Sequence, residues 1–198
     1  ACVGLMMRAD QFIVSKRDFP EGWLRARRDG VTATQVAKAA TPAGFETAVR
    51  DYLSDYVEID NPYMKFGRDM EPVIARILHQ DFGVLPNDWL LRHDSETHHL
   101  ATPDGLSLDH KLIAEIKTTG KDFEDATVPV QYRRQVQWQL HVTGAERCLF
   151  AWMQRIEVEG VFAPAWWKPK HLFIERDEGM IASLIVTADA LWERVENV

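Results

Sequence analysis

Apolar positions along the chain change their period twice. Over residues 61–82 they fall at helical spacing. Asn61-Pro62 opens the run, and Phe66, Met70, Val73, Ile74 and Ile77 make one stripe, which predicts a long helix with that face inward. From residue 90 to residue 117 the apolar runs are short and broken by turn residues, notably Thr102-Pro103-Asp104-Gly105, as in successive strands of a curved sheet. Helical spacing returns over 128–142. Residues 147–155 and 158–163 read as an antiparallel strand pair and 171–174 as a further strand. Residues 179–195 read as a closing helix that buries Ile181, Leu184, Ile185, Leu191 and Trp192. Before residue 60 the chain reads as short helices. One begins at Thr32, which makes a Thr-x-x-Gln capping box with Gln35, carries Val36 inward and ends near Thr41-Pro42. Another covers 45–56, with Val49, Tyr52 and Leu53 as its stripe. Helices, sheet, helix, sheet and helix in that order predict an α+β (mixed α/β) fold, a central curved mixed sheet flanked by helices. Neither a repeat nor a Gly/Ser-rich linker divides the chain, so one domain is expected over 1–198, with a helical part to residue 60 and a core over 61–198.

Composition changes this picture only at its edges. With 198 residues, 46% of them hydrophobic, the chain can bury one sizeable core. Cys2 and Cys148 form no CxxC pair, which argues against a zinc knuckle or an iron–sulfur cluster and for a reducing, cytoplasmic setting. The apolar opening, residues 1–7, lacks the basic start and small-residue cleavage site of a secretory signal. No apolar run reaches the ~18 residues of a membrane helix. A net charge of −7 weighs against nucleic-acid binding. That objection is limited, because Arg25, Arg27 and Arg28 cluster, as do Arg133 and Arg134, and a bound divalent ion reverses the field of a carboxylate site.

The chemistry concentrates at Pro103-Asp104, followed after ten residues by Glu115-Ile116-Lys117. On a strand, residues two apart share a face, roughly 7 Å along the chain, so Glu115 and Lys117 project together while Ile116 goes into the core. A turn at Asp104 with a hairpin back brings its carboxylate beside them. Two carboxylates suit Mg²⁺ or Mn²⁺, and the ammonium can orient or help deprotonate a water and offset transition-state charge. A plain surface hairpin is the competing reading, since Pro-Asp-Gly is a common turn and Glu and Lys often alternate on exposed strands. Asp109-His110-Lys111 also fits the (D/E)xK pattern, but it lies too close to Asp104 and outside an apolar strand. Glu71, one position off the apolar face of its helix, can reach a site at the sheet edge. Gln131, Tyr132, Gln135 and Gln139 recur at spacings of three and four and suit a helix surface over a polar ligand. His93, His98, His99 and His110 fit no recurrent metal-ligand spacing and read as exposed or core histidines.

In order, these segments resemble the lambda-exonuclease family, the YqaJ-type viral recombinases of the PD-(D/E)XK nuclease superfamily. The matching stretches are Trp23-x-x-x-Arg27 with Val31-Thr32-Ala33-Thr34, Gly67-Arg68-x-x-Glu71 and Ala101-Thr102-Pro103-Asp104-Gly105-Leu106. Glu115-Ile116-Lys117, Tyr132-x-x-Gln135-Val136-Gln137 and Ile174-Glu175-Arg176-Asp177-Glu178 follow. The resemblance implies a restriction-endonuclease-like core and a processive 5′→3′ exonuclease on linear double-stranded DNA that leaves 3′ overhangs. It also implies two Mg²⁺ ions (Mn²⁺ as substitute), a homotrimeric ring, a single-strand annealing protein as partner and a phage or prophage origin. In that scheme Asp104 bridges the ions, Glu115 and the Ile116 carbonyl complete one shell, and Glu71 approaches as an outer or second-metal ligand. Lys117 holds the water, Gln135 places the nucleophile or phosphate, and Tyr132 packs nearby. Arg27, Thr32 and Thr34 would take the 5′-phosphate, helped by a helix N-terminus at Thr32. Gln137 would add to the DNA surface, and Met64 would be the wedge that parts the end base pair. Thr118-Thr119 departs from the Cys-Pro-like pair of many relatives, and Pro164-Ala165-Trp166-Trp167-Lys168-Pro169 is an extra edge segment, expected at a subunit contact or in packing. An endonuclease or junction resolvase of the same superfamily, or an inactive nuclease-fold binding module, would carry much of the same pattern.

Overall fold

A computed structural model describes residues 9–54, 60–124 and 127–197. Its long sheet is built around β6 (Leu112–Thr119) and β7 (Arg147–Val158), which run parallel in register from Leu112 opposite Arg147 to Thr119 opposite Gln154. A parallel pair needs a crossover, supplied by α5 (Val130–Thr143). On the far side of β6 lie β5 (Gly105–Leu106) and then β2 (Leu85–Pro86), both antiparallel. The other edge of β7 is shared by β9 (Lys170–Glu175) along its first half and β8 (Val161–Pro164) along its second. A smaller sheet orders β1 (Phe12–Ser15), β3 (Trp89–Arg92) and β4 (Leu100–Ala101).

Both faces of the long sheet are covered, as the sequence of β7 requires. Cys148, Phe150 and Trp152 enter one core and Leu149, Ala151 and Met153 the other, which makes its first half a continuous buried run. The first core is roofed by α2 (Ala33–Ala39), α3 (Pro42–Leu53), α5 and α6 (Glu178–Glu196). The second lies under α4 (Pro62–Phe82), through Ile74, Ala75 and Leu78. Helix starts follow the capping chemistry of the sequence. Gln35 returns its Oε1 to the Thr32 N–H (2.8 Å), Thr41 caps α3, and Asn61 Oδ1 accepts from the Tyr63 and Met64 N–H groups at 3.0 Å each. Gly83 and Gly144 end α4 and α5 in the left-handed conformation.

The mixed sheet flanked by helices agrees with the sequence reading, with local corrections. Residues before 60 are not all helical, because Phe12–Ser15 finds an antiparallel partner in β3 far along the chain. A short run of three apolar residues carries no signal for such a partner. Leu53 is exposed, since α3 turns Ala48, Val49 and Tyr52 inward instead. Val73 is likewise exposed, because the buried stripe of α4 passes through Ile74, Ala75 and Leu78. Tyr56, the expected end of α3, lies outside the described residues.

Candidate active site

The alternation of β6 sends Ile113 and Glu115 toward α5, and Ala114 and Ile116 toward α4. Ile116 is buried, as the strand pattern requires. Lys117 is on the same face as Glu115, and its Nζ lies 2.5 Å from Glu115 Oε1. Asp104, in the turn between β4 and β5, is tied to this strand twice. Its N–H donates to the Ala114 carbonyl (2.9 Å), and its Oδ2 accepts the Ile116 N–H (2.6 Å). The backbone ladder therefore fixes the distance between the two carboxylates.

A cleft of about 220 Å³ gathers Asp104, Glu115, Ile116, Lys117, Glu71 of α4 and Gln135 of α5, with Arg27, Thr32 and Thr34 also on its wall. Glu71 is exposed and Glu115 buried, so the cleft grades from a wet rim to a dry floor. Gln139, one turn beyond Gln135, donates from Nε2 to Glu115 Oε2 at 2.7 Å. Glu115 thus has one oxygen on an ammonium and the other on an amide. Thr102 Oγ1, Gln135 Oε1 and Gln139 Oε1 line this cleft buried and without protein partners.

Electrostatics give the cleft its character. Burial, then the Glu115 and Glu71 carboxylates, push Asp104 well above the usual carboxylate range, against the opposing pull of Lys117 and the Ile116 N–H. Burial works against the charge of Lys117, yet Glu115 and Asp104 outweigh it and hold the ammonium above its ordinary value. Crowded carboxylates beside orphaned oxygen acceptors are the donor set of a hard divalent cation, and no imidazole or thiolate is on this wall. The residues fit Mg²⁺ or Mn²⁺. The three carboxylates are too spread for their oxygens to lie within 4.8 Å of one another, the separation met among the described residues only by His98, His99 and Asp189.

The remaining expected residues are placed unevenly. Arg27 stacks its guanidinium on the Trp23 ring, 4.4 Å from the centroid, while lining the cleft. Thr32 is buried and donates its hydroxyl to Gln35 (2.7 Å), whereas Thr34 is exposed on the cleft wall. Tyr132 borders the site through Lys117, whose Nζ lies 5.3 Å from its ring centroid. Met64, half-buried in the first turn of α4, is not on the cleft wall. Gln137 is a correction. The α-helical turn that aims Gln135 and Gln139 at β6 rotates Gln137 away, and its amide bridges the Glu175 carbonyl and the Asp177 N–H at 2.8 Å each. It stitches β9 to the start of α6 and is unavailable to DNA. Asp109-His110-Lys111 is a tight turn, with Asp109 Oδ1 accepting from Ser107 and from the Lys111 N–H. Sequence reasoning put Gln139 on a helix surface over a polar ligand but not beside Glu115, and gave Thr102 no role beyond its place in the Pro103-Asp104 turn. The four-residue spacing of Gln135 and Gln139 was the available signal for the first, and nothing marked the second.

Comparison with known proteins adds an independent line. The family model for the YqaJ-like viral recombinase domain matches residues 22–146. The alkaline exonuclease LHK-Exo from Laribacter hongkongensis is 25% identical, with a TM-score of 0.71 over 89% of this chain and 93% of its own. Its complex with dAMP superposes with a TM-score of 0.70 at 24% identity, over the same shares. A phage related exonuclease from Haemophilus somnus 129PT has the same fold, with a TM-score of 0.64 at 14% identity over 85% and 94% of the two chains. No curated protein sequence gives a significant match.

Proposed function

Since the chain belongs to the YqaJ-like viral recombinase domain family, and its relatives support a nuclease, we propose that it is a divalent-metal-dependent exonuclease that digests one strand of linear duplex DNA from the 5′ end. The product is a 3′ overhang for recombination. One observation carries this reading. Asp104, Glu115, Lys117, Glu71 and Gln135, drawn from a turn, a strand and two helices, line one cleft with unpaired oxygen acceptors.

In the proposed mechanism Asp104, Glu115, the Ile116 carbonyl and, from the rim, Glu71 would hold the divalent ions. Bound Mg²⁺ supplies Lewis-acid stabilisation of the phosphate and a more acidic water. Lys117, held charged beside Glu115, orients the attacking water and offsets charge developing on the phosphate. Gln135 turns its unpartnered amide oxygen toward the nucleophile. Gln139 acts through Glu115, fixing its second oxygen. Arg27 takes the 5′-phosphate by charge-assisted hydrogen bonds with Thr34 beside it, and Thr32, whose N–H and hydroxyl both donate to Gln35, shapes the wall behind them. LHK-Exo, a relative in this fold, has been solved in complex with dAMP.

Processivity is assigned to a homotrimeric ring, since encirclement does not need a basic exterior and the net charge here is −7. The setting would be a bacterial cytoplasm, with a phage or prophage gene and a single-strand annealing protein as partner. Among the described residues no helix is long and apolar enough to cross a membrane. The test is digestion in Mg²⁺ of linear duplex with and without a 5′-phosphate, beside closed circular DNA and a Lys117→Ala control. Loss of the 5′-phosphorylated strand alone, abolished by the substitution, is expected. Cutting of the circle would point to an endonuclease, and intact substrates throughout to a binding module. Arg27→Ala should erase the preference for a 5′-phosphate, roughly tenfold or more in kcat/KM.

A further inference from the structure

Histidines with no ligand spacing in the sequence are gathered by the fold. His98 and His99 lead into β4, and Asp189 projects from α6, some ninety positions later. One oxygen, Asp189 Oδ1, lies 3.0 Å from His98 Nε2 and 2.9 Å from His99 Nε2. All three ligand atoms fall within 4.8 Å of one another. We propose that His98, His99 and Asp189 form a second cation site, selective for a borderline transition metal such as Zn²⁺ and distinct from the carboxylate cleft.

The donor set separates the two sites. Two imidazole nitrogens and one carboxylate favour Zn²⁺ or Co²⁺, whereas the cleft offers oxygen alone. Ligand atoms of a tetrahedral ion with bonds of about 2.0–2.1 Å stand about 3.3 Å apart. The two separations to Asp189, 3.0 and 2.9 Å, need only a few tenths of an ångström of opening, which its half-exposed side chain can give.

The histidines are oriented before any ion arrives. His99 is fully buried against Trp138, and its other ring nitrogen, Nδ1, is 3.0 Å from His141 Nε2. Such a partner on the second nitrogen fixes the ring of a metal-bound histidine. His98 stacks on Trp192, with centroids 5.9 Å apart and planes 18° from parallel. Their backbone is pinned by Val31, whose N–H donates to the His98 carbonyl (2.7 Å) and whose carbonyl accepts the Leu100 N–H (2.9 Å). Two ligands are therefore held in place, and the third, half-exposed, faces solvent, which gives an ion its way in. A neutral ring that binds an ion through Nε2 carries its proton on Nδ1 instead, so His99 would donate from Nδ1 to His141 Nε2 while the ion takes the place of its bond to Asp189. An ion here would join α6 to the His98–His99 segment, which bridges Val31, the residue before Thr32 on the cleft wall.

The test is calorimetric titration of Zn²⁺ into the full chain with Mg²⁺ in large excess to occupy the carboxylate cleft. Wild type is compared with His98→Gln and Asp189→Asn, both of which keep a hydrogen-bonding side chain. One equivalent should bind to wild type, with affinity reduced by at least about tenfold in each variant. Cleavage in Mg²⁺ alone should be unchanged in both. Paramagnetic shifts of the His98 and His99 ring resonances on adding Co²⁺ to wild type supply a reading that needs no variant. Absence of Zn²⁺ binding in wild type, equal binding in all three proteins, or histidine resonances unmoved by Co²⁺ would each overturn the proposal and leave the cluster as a hydrogen-bonded strut.

Discussion

Two buried polar regions of this protein solve opposite problems. In the cleft, Asp104, Glu115 and Glu71 crowd like charges together, and Thr102, Gln135 and Gln139 leave oxygens without protein partners. In the histidine cluster, His98, His99, His141 and Asp189 pair with one another at 2.9–3.0 Å. The cleft is thus unsatisfied until something cationic and hydrated enters. The cluster is satisfied without an ion, so metal binding there would add to a fold that already stands. Strain gathered at a reacting centre costs stability that the rest of the fold must supply. A paired network costs little, and it joins α5, α6 and the entry to β4.

The largest effect should come from breaking the cleft. Asp104→Asn removes a central carboxylate of the cleft while keeping an acceptor for the Ile116 N–H, and the expected loss of cleavage is on the order of 10³-fold. The same substitution should leave the melting temperature in chelator unchanged or higher, because it relieves repulsion from Glu115 and Glu71. A clear fall in melting temperature would mean that the cleft is not strained. Gln139→Ala frees one oxygen of Glu115, and a reduction of about 10–100-fold in metal affinity or rate is expected. The Mg²⁺ concentration dependence of cleavage measures it.

Gln137→Ala sharpens the contrast from outside both regions. It should destabilise the protein by about 1–3 kcal/mol, through loss of its bonds to the Glu175 carbonyl and the Asp177 N–H. Cleavage per folded molecule should stay at the wild-type rate. If activity fell and stability did not, Gln137 would return to the DNA surface.

The smallest effect is the pH dependence of stability in chelator, where the two regions should oppose each other. Burial lowers the pKa of His93, His99 and His141, the last to about 3. The unfolded chain, with histidines near 6.5, then takes up protons first. Their contribution is complete above about pH 6.5 and is lost as the pH falls toward the folded values, by less than about 1.4 kcal/mol per pH unit for each histidine. Asp104, raised in the folded state, works in the other sense, because acidification neutralises it in the folded protein first. Melting curves from pH 7 to pH 5 should therefore fall more steeply for Asp104→Asn than for wild type.

Much of the cleft was legible because its parts obey local periods. Glu115 and Lys117 share a face by strand alternation, the Thr32–Gln35 pair announces a helix start, and Gln135 and Gln139 are one helical turn apart. Gln137 was misread for the reason that makes those correct. A residue two along a helix is rotated by about 200° and serves another surface. The strand at Phe12–Ser15 was missed because three apolar residues say nothing about a partner near residue 90.

By itself, then, the sequence determined the mixed α/β class, the order of the main elements and which carboxylate and lysine would stand together. Those features follow from spacing along one helix or one strand. Only the tertiary structure decided how α5 lies against β6, so that Gln139 meets Glu115. It also decided how α6 returns to place Asp189 between His98 and His99. Such meetings depend on which buried faces pack together over long separations in the chain, and no local period encodes that choice.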